Sequence, residues 1–204
     1  MTFTPPKSIL LIRNPIAGRR RRGLVEEVMR LVQAEGWTVD LVDTGLDSGT
    51  GGRIRRLRDW LPDDDFCLTY GDGLANVDLR AVVDFHRSHG RMATLTAIRP
   101  PSRFGGLRIE DDSVQEFTEK PQIGEGWING GFMVLRREVL DRIPGDEASF
   151  ENDVLEVLAA EGELMAFRHE GFWQSMDTLR DVRTLQHSWD TGDAPWQARW
   201  AATP

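Results

Sequence analysis

Cysteine and long hydrophobic runs are both scarce in this sequence. Cys67 is the only cysteine among 204 residues, which excludes a disulfide framework within the chain and fits a reducing compartment. The first apolar run, "SILLI", is closed at Arg13, too soon for a signal peptide or a membrane-spanning helix. From these two scarcities we expect a cytoplasmic protein that does not associate with membranes.

Positive charge is also in short supply. The chain has 25 Lys and Arg against 33 Asp and Glu, a formal net charge of −8, so it does not suit a nucleic-acid binder that must neutralise phosphates. We find no convincing Ser-His-Asp arrangement for nucleophilic catalysis. His86 and His89 share one side of a predicted helix, but two histidines without a third ligand make a weak case for a metal site.

What the sequence does contain is typical of a globular α/β protein. Hydrophobic residues at 40% and charged residues at 28% predict a packed core. There is no internal repeat, low-complexity linker or clear boundary, so we expect one domain over residues 1–204.

Strand-like runs alternate with helical patterns along the chain. This alternation predicts βαβ units and a largely parallel sheet with helices on its faces. The predicted strands are "SILLI", "WTVDLVDT", "DFCLTY", "MATLTAI", "GLRI", "SVQEFTEKP", "GFMVL" and "LMAFRHEGFWQSMDT"; the predicted helices are Leu24 to a Gly36 cap, "RIRRLRDWL", "VDLRAVVDFHRSHG" and "FENDVLEVLAAEGEL".

Asp72 follows the strand "DFCLTY" directly, between Gly71 and Gly73. In open α/β sheets ligands bind outside the carboxyl ends of the strands, and glycines allow a ligand to approach the backbone closely. The alternative is a strand-to-helix turn in which the aspartate caps a helix.

A second carboxylate, Asp177 in "EGFWQSMDT", also follows a strand-like run. Two carboxylates at two strand ends can hold one Mg²⁺, which prefers oxygen ligands and accompanies substrate phosphates. Equally, the two could be unrelated loop residues, because sequence spacing does not show whether they meet.

Two further motifs contain candidate ligand-binding side chains. In "FTEKP" a proline follows Lys120, which is a suitable point charge for a phosphate. In "WINGG" the amide of Asn129 precedes two glycines. Alternatively, "FTEKP" is a surface turn and "WINGG" is a tight turn. Trp127 and Trp173 could stack on a base or a sugar, although core packing is the commoner use of tryptophan.

Six sequence blocks together resemble the glucose-1-phosphate cytidylyltransferases, which belong to the sugar-1-phosphate nucleotidylyltransferases. The resemblance extends from about Trp37 to about Trp196. The blocks are "VDTGLDSGTGGRIRRLRDWL", "FCLTYGDGLANVDL", "RMATLTAIRPPSRFGGL", "FTEKP", "GWINGGFMVL" and "HEGFWQSMDTLRD".

The resemblance implies a Rossmann-like, GT-A-like nucleotidyltransferase fold with a mixed, mostly parallel sheet. It also implies the reaction of CTP with glucose 1-phosphate to give CDP-glucose and pyrophosphate. Asp72 and Asp177 match the family's Mg²⁺ ligands, and Lys120 matches the lysine near the sugar phosphate. The residues that match nucleotide positions are Ser48, Arg53 and Gly71, with serine in place of the usual threonine; those that match sugar positions are Phe104, Gly105, Asn129, Gly130 and Glu151.

The first part of the chain departs from the family pattern. The family's L-A-G-G-x-G-T-R-L loop and its following K-P pair do not occur in this sequence. Residues 8–41 instead resemble the strand, N-P-x-x-G loop and helix of the diacylglycerol kinase and related lipid kinase family. The domain thus divides into an atypical segment, 8–41, and a cytidylyltransferase-like core, 42–196. In the atypical segment Arg19 and Arg20 belong to an arginine cluster that either receives phosphates or forms a solvated face.

Three functional hypotheses follow. The first is cytidylyl transfer from a nucleoside triphosphate to a hexose 1-phosphate, and the second is a sugar-phosphate-binding remnant without catalysis. The third is a lipid or other small-molecule kinase, on the basis of the first forty residues alone. Assembly into a homo-oligomer is implied only by the family resemblance.

Overall fold

A computed structural model describes residues 8–13, 22–100, 106–110, 113–118 and 126–197. These residues form two compact units. The first unit comprises the described residues of Met1–Phe66 and Leu135–Leu164, and the second those of Cys67–Val134 and Met165–Pro204. The single domain predicted for 1–204 stays a prediction.

Helices occur in both units. The α-helices are α1 (Arg22–Ala34), α2 (Thr50–Arg55), α3 (Leu79–His89), α4 (Glu156–Ala160) and α5 (Leu179–Asp190). Arg137–Arg142 and Pro195–Gln197 form 3₁₀ turns, and a π-helical turn, Glu151–Leu155, leads directly into α4. Within the described part of the chain, no helix is both long enough and apolar enough to cross a bilayer.

The strands are mostly short. They are β1 (Ser8–Arg13), β2 (Thr38–Asp43), β3 (Asp65–Leu68), β4 (Gly73–Ala75), β5 (Ala93–Ile98), β6 (Gly106–Glu110), β7 (Ser113–Thr118), β8 (Ile128–Asn129), β9 (Met133–Arg136), β10 (Leu164–His169) and β11 (Trp173–Ser175).

A five-stranded sheet has the order β10-β5-β9-β3, with β8 antiparallel to β5. β1 and β2 pair in parallel and are connected through α1, as predicted for a βαβ unit. β6 and β7 form an antiparallel hairpin. β4 and β11 form a separate antiparallel pair, which we call the β4–β11 ribbon.

Local sequence signals explain the C-terminal end of α1 and both ends of α3. Gly36 follows α1 with φ = +83°, a left-handed conformation that glycine adopts at little cost. At the start of α3 the side chain of Asp78 accepts a hydrogen bond from Ala81 N at 3.0 Å, which satisfies one of the unpaired N–H groups of the first turn. Gly90, with φ = +68°, ends that helix, as the sequence predicted.

Each unit has its own set of buried apolar side chains. The first unit buries side chains from β9, the turn after it and the segment that leads into α4, namely Leu135, Val139, Leu140, Phe150, Val154 and Leu158. The second unit buries one face of α3 against β5, with Val82, Val83, Ile98 and Met133 at its centre.

The predicted helix "RIRRLRDWL" was wrong in its position. α2 instead begins at Thr50 in the glycine-rich loop and ends at Arg55. Hydrogen bonds from Gly49 N to Asp146 O and from Gly51 N to Ala148 O, both 2.8 Å, hold this loop against a segment that is distant in the sequence. Tertiary contacts therefore set the helix start where glycine alone predicted a loop.

Three other elements differ from the sequence prediction. The short strand β4 lies between the Gly-Asp-Gly turn and α3, where a direct passage into the helix was expected. The single long strand predicted up to Asp177 is divided into β10 and β11. α5 was not predicted, although Thr178 and Asp181 form a capping box at its start, a pattern that is recognisable in sequence.

Candidate active site

The β4–β11 ribbon brings the two predicted metal-binding aspartates to one end. In its antiparallel register Gly73 lies opposite Ser175. One residue further, Met176 N donates a hydrogen bond to Asp72 O at 2.8 Å. Asp177 is the next residue after Met176, so the two carboxylates, far apart in the sequence, belong to neighbouring backbone positions of the same ribbon end.

Both aspartates are exposed to solvent. Ser175 Oγ donates a hydrogen bond to Asp177 Oδ2 at 2.8 Å, which orients one oxygen of that carboxylate. No group of three or more His, Cys, Asp or Glu side chains suited to a metal occurs in the described part of the chain. A pair of carboxylates is nevertheless a donor set that fits Mg²⁺, because this cation keeps several waters and takes substrate phosphate oxygens as further ligands.

The space around Gly71 is open. Among the described residues, a Cβ atom built at this position meets no heavy atom within 4 Å, and one built at Gly73 meets Trp173 Nε1 at 3.8 Å. Neither glycine has a positive φ. Packing against the described residues therefore does not require glycine at Gly71, which is itself exposed.

Asn129 and Gly130 occupy a hydrogen-bonded position beside the ribbon. Trp173 Nε1 donates to Gly130 O at 2.8 Å, and Gly130 N donates to Thr96 O at 2.8 Å. A Cβ at Gly130 would lie 2.8 Å from Ile98 Cγ2. Gly130 is therefore required by packing, and Trp173 uses its indole N–H to link the ribbon to the segment that contains Asn129.

The side chain of Asn129 is held from two directions. Its Oδ1 accepts from Gly131 N at 2.9 Å, and its Nδ2 donates to Tyr70 Oη at 3.3 Å. Since an amide has two N–H donors and an acceptor oxygen with two lone pairs, a fixed and exposed Asn129 retains donor and acceptor capacity for a polar ligand.

In the first unit Arg53 binds the loop between β2 and α2. Its guanidinium donates to Thr44 Oγ1 at 3.0 Å, to Gly45 O at 2.9 Å and to Leu46 O at 3.3 Å. Ser48 Oγ donates to Thr44 O at 2.6 Å. The two predicted nucleotide-binding side chains thus stabilise the conformation of their own loop.

Close backbone packing explains the glycines at the start of α2. A Cβ at Gly49 would overlap the carbonyl oxygen of Ala148, and one at Gly52 would overlap that of Asp146. A Cβ at Gly51 would lie 3.0 Å from Ala148 O. Here glycine is a structural requirement, since a side chain would separate α2 from the segment that precedes Glu151.

Glu151 is oriented by two hydroxyl groups. Thr50 Oγ1 donates to Glu151 Oε2 at 2.8 Å, and Ser149 Oγ donates to the same oxygen at 3.2 Å. Thr50 Oγ1 also accepts from Phe150 N at 2.8 Å. Sequence reasoning missed Thr50, because its partner is 101 residues away and no local pattern connects the two.

A salt bridge connects the α2 region to the same distant segment. Arg56 Nη2 lies 2.6 Å from Asp146 Oδ2, and Arg56 Nη1 donates to Thr44 O at 3.1 Å. The hydrogen bond from Arg56 lowers the pKa of the Asp146 carboxyl, and the same bond raises the pKa of Arg56. Both side chains are nearly half exposed, so water screens the attraction between them.

The predicted histidine pair has a structural role. His86 Nδ1 and His89 Nε2 lie 2.9 and 2.7 Å from the hydroxyl of Thr94. The predicted positions that lie outside the described residues are Arg19, Arg20, Phe104, Gly105 and Lys120.

The sequence profile of one protein family, described as Nucleotidyl transferase, matches residues 16–191. The chain belongs to this family.

Two curated relatives are similar over most of the chain. "Glucose-1-phosphate cytidylyltransferase" of Salmonella typhi is 51% identical over 166 residues, which are 81% of this chain and 65% of that protein. "Probable glucose-1-phosphate cytidylyltransferase" of Bacillus subtilis strain 168 is 41% identical over 172 residues, 84% of this chain and 67% of that protein. The chain thus spans about two thirds of the length of these relatives.

Solved structures have the same fold. HddC from Yersinia pseudotuberculosis has a TM-score of 0.66 at 21% identity and covers 90% of this chain and 79% of its own. A putative glucose-1-phosphate thymidylyltransferase from Bacillus anthracis has a TM-score of 0.64 at 19% identity, with 86% of this chain and 73% of its own covered. The predicted mixed α/β nucleotidyltransferase fold is confirmed.

The lipid kinase resemblance of residues 8–41 has no such support. The family match begins at residue 16, inside that segment, and neither curated relative named above is a lipid kinase. A strand-loop-helix pattern with a short N-P motif is common to many α/β proteins, and this one was too unspecific to assign a family.

Proposed function

We propose that this protein transfers a cytidylyl group from CTP to glucose 1-phosphate, with Mg²⁺ held by Asp72 and Asp177. The observation that carries the proposal is the hydrogen bond from Met176 N to Asp72 O at 2.8 Å, which continues the β4–β11 ribbon to the two carboxylates. The 51% identity to a glucose-1-phosphate cytidylyltransferase supports the choice of substrates.

The proposed reaction is an in-line displacement at the α-phosphorus of CTP. A phosphate oxygen of glucose 1-phosphate forms a new bond to that phosphorus, the bond to the β-phosphate oxygen breaks, and pyrophosphate leaves with the electron pair. The second pKa of a phosphate monoester is near ~6, so the nucleophile is already ionised at neutral pH and no general base is needed. The requirement is positioning and charge neutralisation.

The described side chains have distinct proposed roles. Asp72 and Asp177 would hold the cation, which neutralises phosphate charge when bound. The open backbone at Gly71 admits the nucleotide, and Asn129 with Gly130 contacts the sugar. In the first unit, Glu151 is proposed to accept hydrogen bonds from sugar hydroxyls and Arg53, beside Ser48, to contact the nucleotide.

Some parts of the proposal come from the resemblance alone. Lys120 is proposed near the sugar phosphate, Phe104 and Gly105 around the sugar, and Arg19 with Arg20 near the nucleotide phosphates. A cytoplasmic location and assembly into a homo-oligomer are likewise proposals.

The test is pyrophosphate release from the purified chain with glucose 1-phosphate, Mg²⁺ and each nucleoside triphosphate in turn. We expect CTP to be preferred. Asp72→Asn and Asp177→Asn should each lower kcat at least about a hundredfold, the scale on which lost electrostatic stabilisation of a transition state acts. Asp84→Asn, at an exposed position of α3, is the matched control and should retain wild-type activity.

Equal activity of the wild-type protein and both ribbon variants would contradict the proposed metal site. Release of pyrophosphate with another triphosphate but not with CTP would contradict the proposed nucleotide.

A second candidate is a sugar-phosphate-binding protein without transferase activity. It is favoured by one observation, that the sequence contains no L-A-G-G-x-G-T-R-L loop. Isothermal titration calorimetry separates the two functions, since this candidate predicts binding of glucose 1-phosphate and no binding of CTP, whereas cytidylyl transfer requires both.

A further inference from the structure

Two arginines of the second unit contact one tryptophan. The guanidinium carbon of Arg99 lies 4.7 Å from the ring centroid of Trp127, and that of Arg168 lies 5.7 Å from the same ring. Both distances are within the range of a cation–π contact. We call these three residues the Arg–Trp cluster.

Strand pairing explains why the cluster forms. Ile98 of β5 lies opposite Ile128 of β8, and Ala97 lies opposite Asn129. Continuing this antiparallel register by one step places Arg99 opposite Trp127, the usual arrangement for a cross-strand side-chain contact. Arg168 belongs to β10, which also pairs with β5 in the sheet.

Among the described residues, the partner of both guanidinium groups is the aromatic ring and not an acidic side chain. Within the described part of the chain, neither Arg99 nor Arg168 makes a hydrogen bond or an ion pair. A guanidinium has five N–H donors, and a contact with an aromatic face leaves these donors available. The cluster therefore presents two preoriented cations on an exposed surface.

The cluster differs from several arginines of the first unit. Arg56, Arg58 and Arg142 each lie beside an acidic side chain, whereas Arg99 and Arg168 lie beside the aromatic ring. Two like charges close to one ring repel each other, and a bound anion would relieve that repulsion. Planar guanidinium groups match phosphate oxygens especially well, because one group can donate two parallel hydrogen bonds.

We propose that Arg99, Trp127 and Arg168 form a binding subsite for a phosphate group, either free or as a phosphate monoester. Trp127 holds the two arginines in place, and the arginines bind the anion. Trp127 directly precedes β8 and is two residues from Asn129, so in an extended chain the two side chains lie on the same side. It does not depend on the proposed cytidylyl transfer.

The experiment measures phosphate binding to the full chain without nucleotide or divalent cation. Inorganic phosphate, glucose 1-phosphate and CMP are titrated separately by calorimetry at low ionic strength. The indole N–H resonance of Trp127, assigned by its loss in Trp127→Phe, reports binding at this location in ¹⁵N NMR spectra.

We expect a phosphate-dependent shift of that resonance. Each of Arg99→Gln and Arg168→Gln should raise the Kd about tenfold, since a charge-assisted hydrogen bond contributes that much affinity. Arg99→Lys and Arg168→Lys retain the charge without the planar donors and should give intermediate values. Arg183→Gln, at an exposed position of α5, is the matched control and should leave the Kd unchanged.

Binding of phosphate with an unmoved Trp127 resonance, or with an unchanged Kd in the glutamine variants, would overturn the proposal; so would no binding at all. Folding of each variant is checked by circular dichroism, and a misfolded glutamine variant is replaced by its lysine counterpart.

Binding of CMP and glucose 1-phosphate to the same tryptophan supports recognition of the ester, and binding of inorganic phosphate alone supports recognition of the free anion. Failure of pyrophosphate release with intact phosphate binding would affect only the proposed function.

Discussion

The glycine-rich start of α2 and the Gly-Asp-Gly turn before β4 differ in what surrounds their backbones. At Gly49 and Gly52 an added Cβ would overlap carbonyl oxygens of the 146–148 segment, whereas at Gly71 it would meet no described atom within 4 Å. Packing within the first unit explains the glycines at the start of α2. No described residue explains Gly71 in this way, and space beside an exposed aspartate is what a ligand needs.

The comparison teaches that glycine in a candidate site has two separate meanings. Glycine at the α2 start sets the structure that supports Glu151, while glycine at the ribbon end leaves room at the backbone. Substitutions in the two regions should therefore separate stability from ligand binding.

The largest expected effect is on stability in the α2 region. Gly52→Ala should lower the free energy of unfolding by about 3 kcal/mol, because a methyl group overlapping a backbone carbonyl forces the two segments apart. Urea denaturation followed by circular dichroism measures this change in the free energy of unfolding. Unchanged stability would mean that α2 and residue Asp146 are not in close contact.

A smaller effect on stability is expected from a substitution at Thr50. Thr50→Val removes the donor to Glu151 and the acceptor for Phe150 N, at a cost of about 1 kcal/mol for a partly exposed pair of hydrogen bonds. If Glu151 orients the sugar, KM for glucose 1-phosphate should rise more than kcat falls. Thr50→Ser keeps the hydroxyl group and should restore both parameters, and a valine variant with wild-type KM would remove Thr50 as a positioning residue.

At Gly71 a substitution should weaken nucleotide binding without lowering stability. Gly71→Ala should leave the free energy of unfolding unchanged or raise it by about 0.4–1 kcal/mol, because φ is not positive and alanine restricts the unfolded chain. Binding of CTP should weaken, since the methyl group occupies the open space.

The matched control for this substitution is Gly145→Ala in the first unit. Its Cβ also meets no atom of the described residues within 4 Å, so stability should respond similarly while CTP affinity stays constant. Equal CTP affinity in both variants would argue against a ligand at Gly71.

The smallest expected effect is the pH-dependent contribution of the Arg56–Asp146 pair to the free energy of unfolding. The pKa of Asp146 is lowered in the folded state by its hydrogen bond from Arg56, so the stabilisation is present above the unfolded pKa, near ~3.9. It is lost as the pH falls through the folded value. Asp146→Asn should therefore be less stable than wild type at neutral pH and equally stable in strong acid.

Thermal unfolding at several pH values provides the measurement. Asp59→Asn, at an exposed carboxylate of the first unit, serves as the control. A stability difference between Asp146→Asn and wild type that persists in strong acid would show that the variant acts through packing and not through charge.

Much of the fold was predictable because its signals are local. The run "SILLI" predicted β1, and the apolar residues of α3 recur at helical spacing between Asp78 and Gly90. The carboxylate pair was predicted from two separate strand ends, and the structure brings Asp72 and Asp177 to one ribbon end. The Arg–Trp cluster was not predicted, since Arg99 meets Trp127 only through the pairing of β5 with β8.

Local sequence patterns were sufficient to predict the class of fold and the helix ends at Gly36 and Gly90. These features depend on backbone sterics and periodicity, which act within a few residues. The start of α2, the partner of Thr50 and the register of the β4–β11 ribbon became known only from the folded chain. Those features depend on hydrogen bonds between residues far apart in the chain, and such pairs leave no local pattern to read.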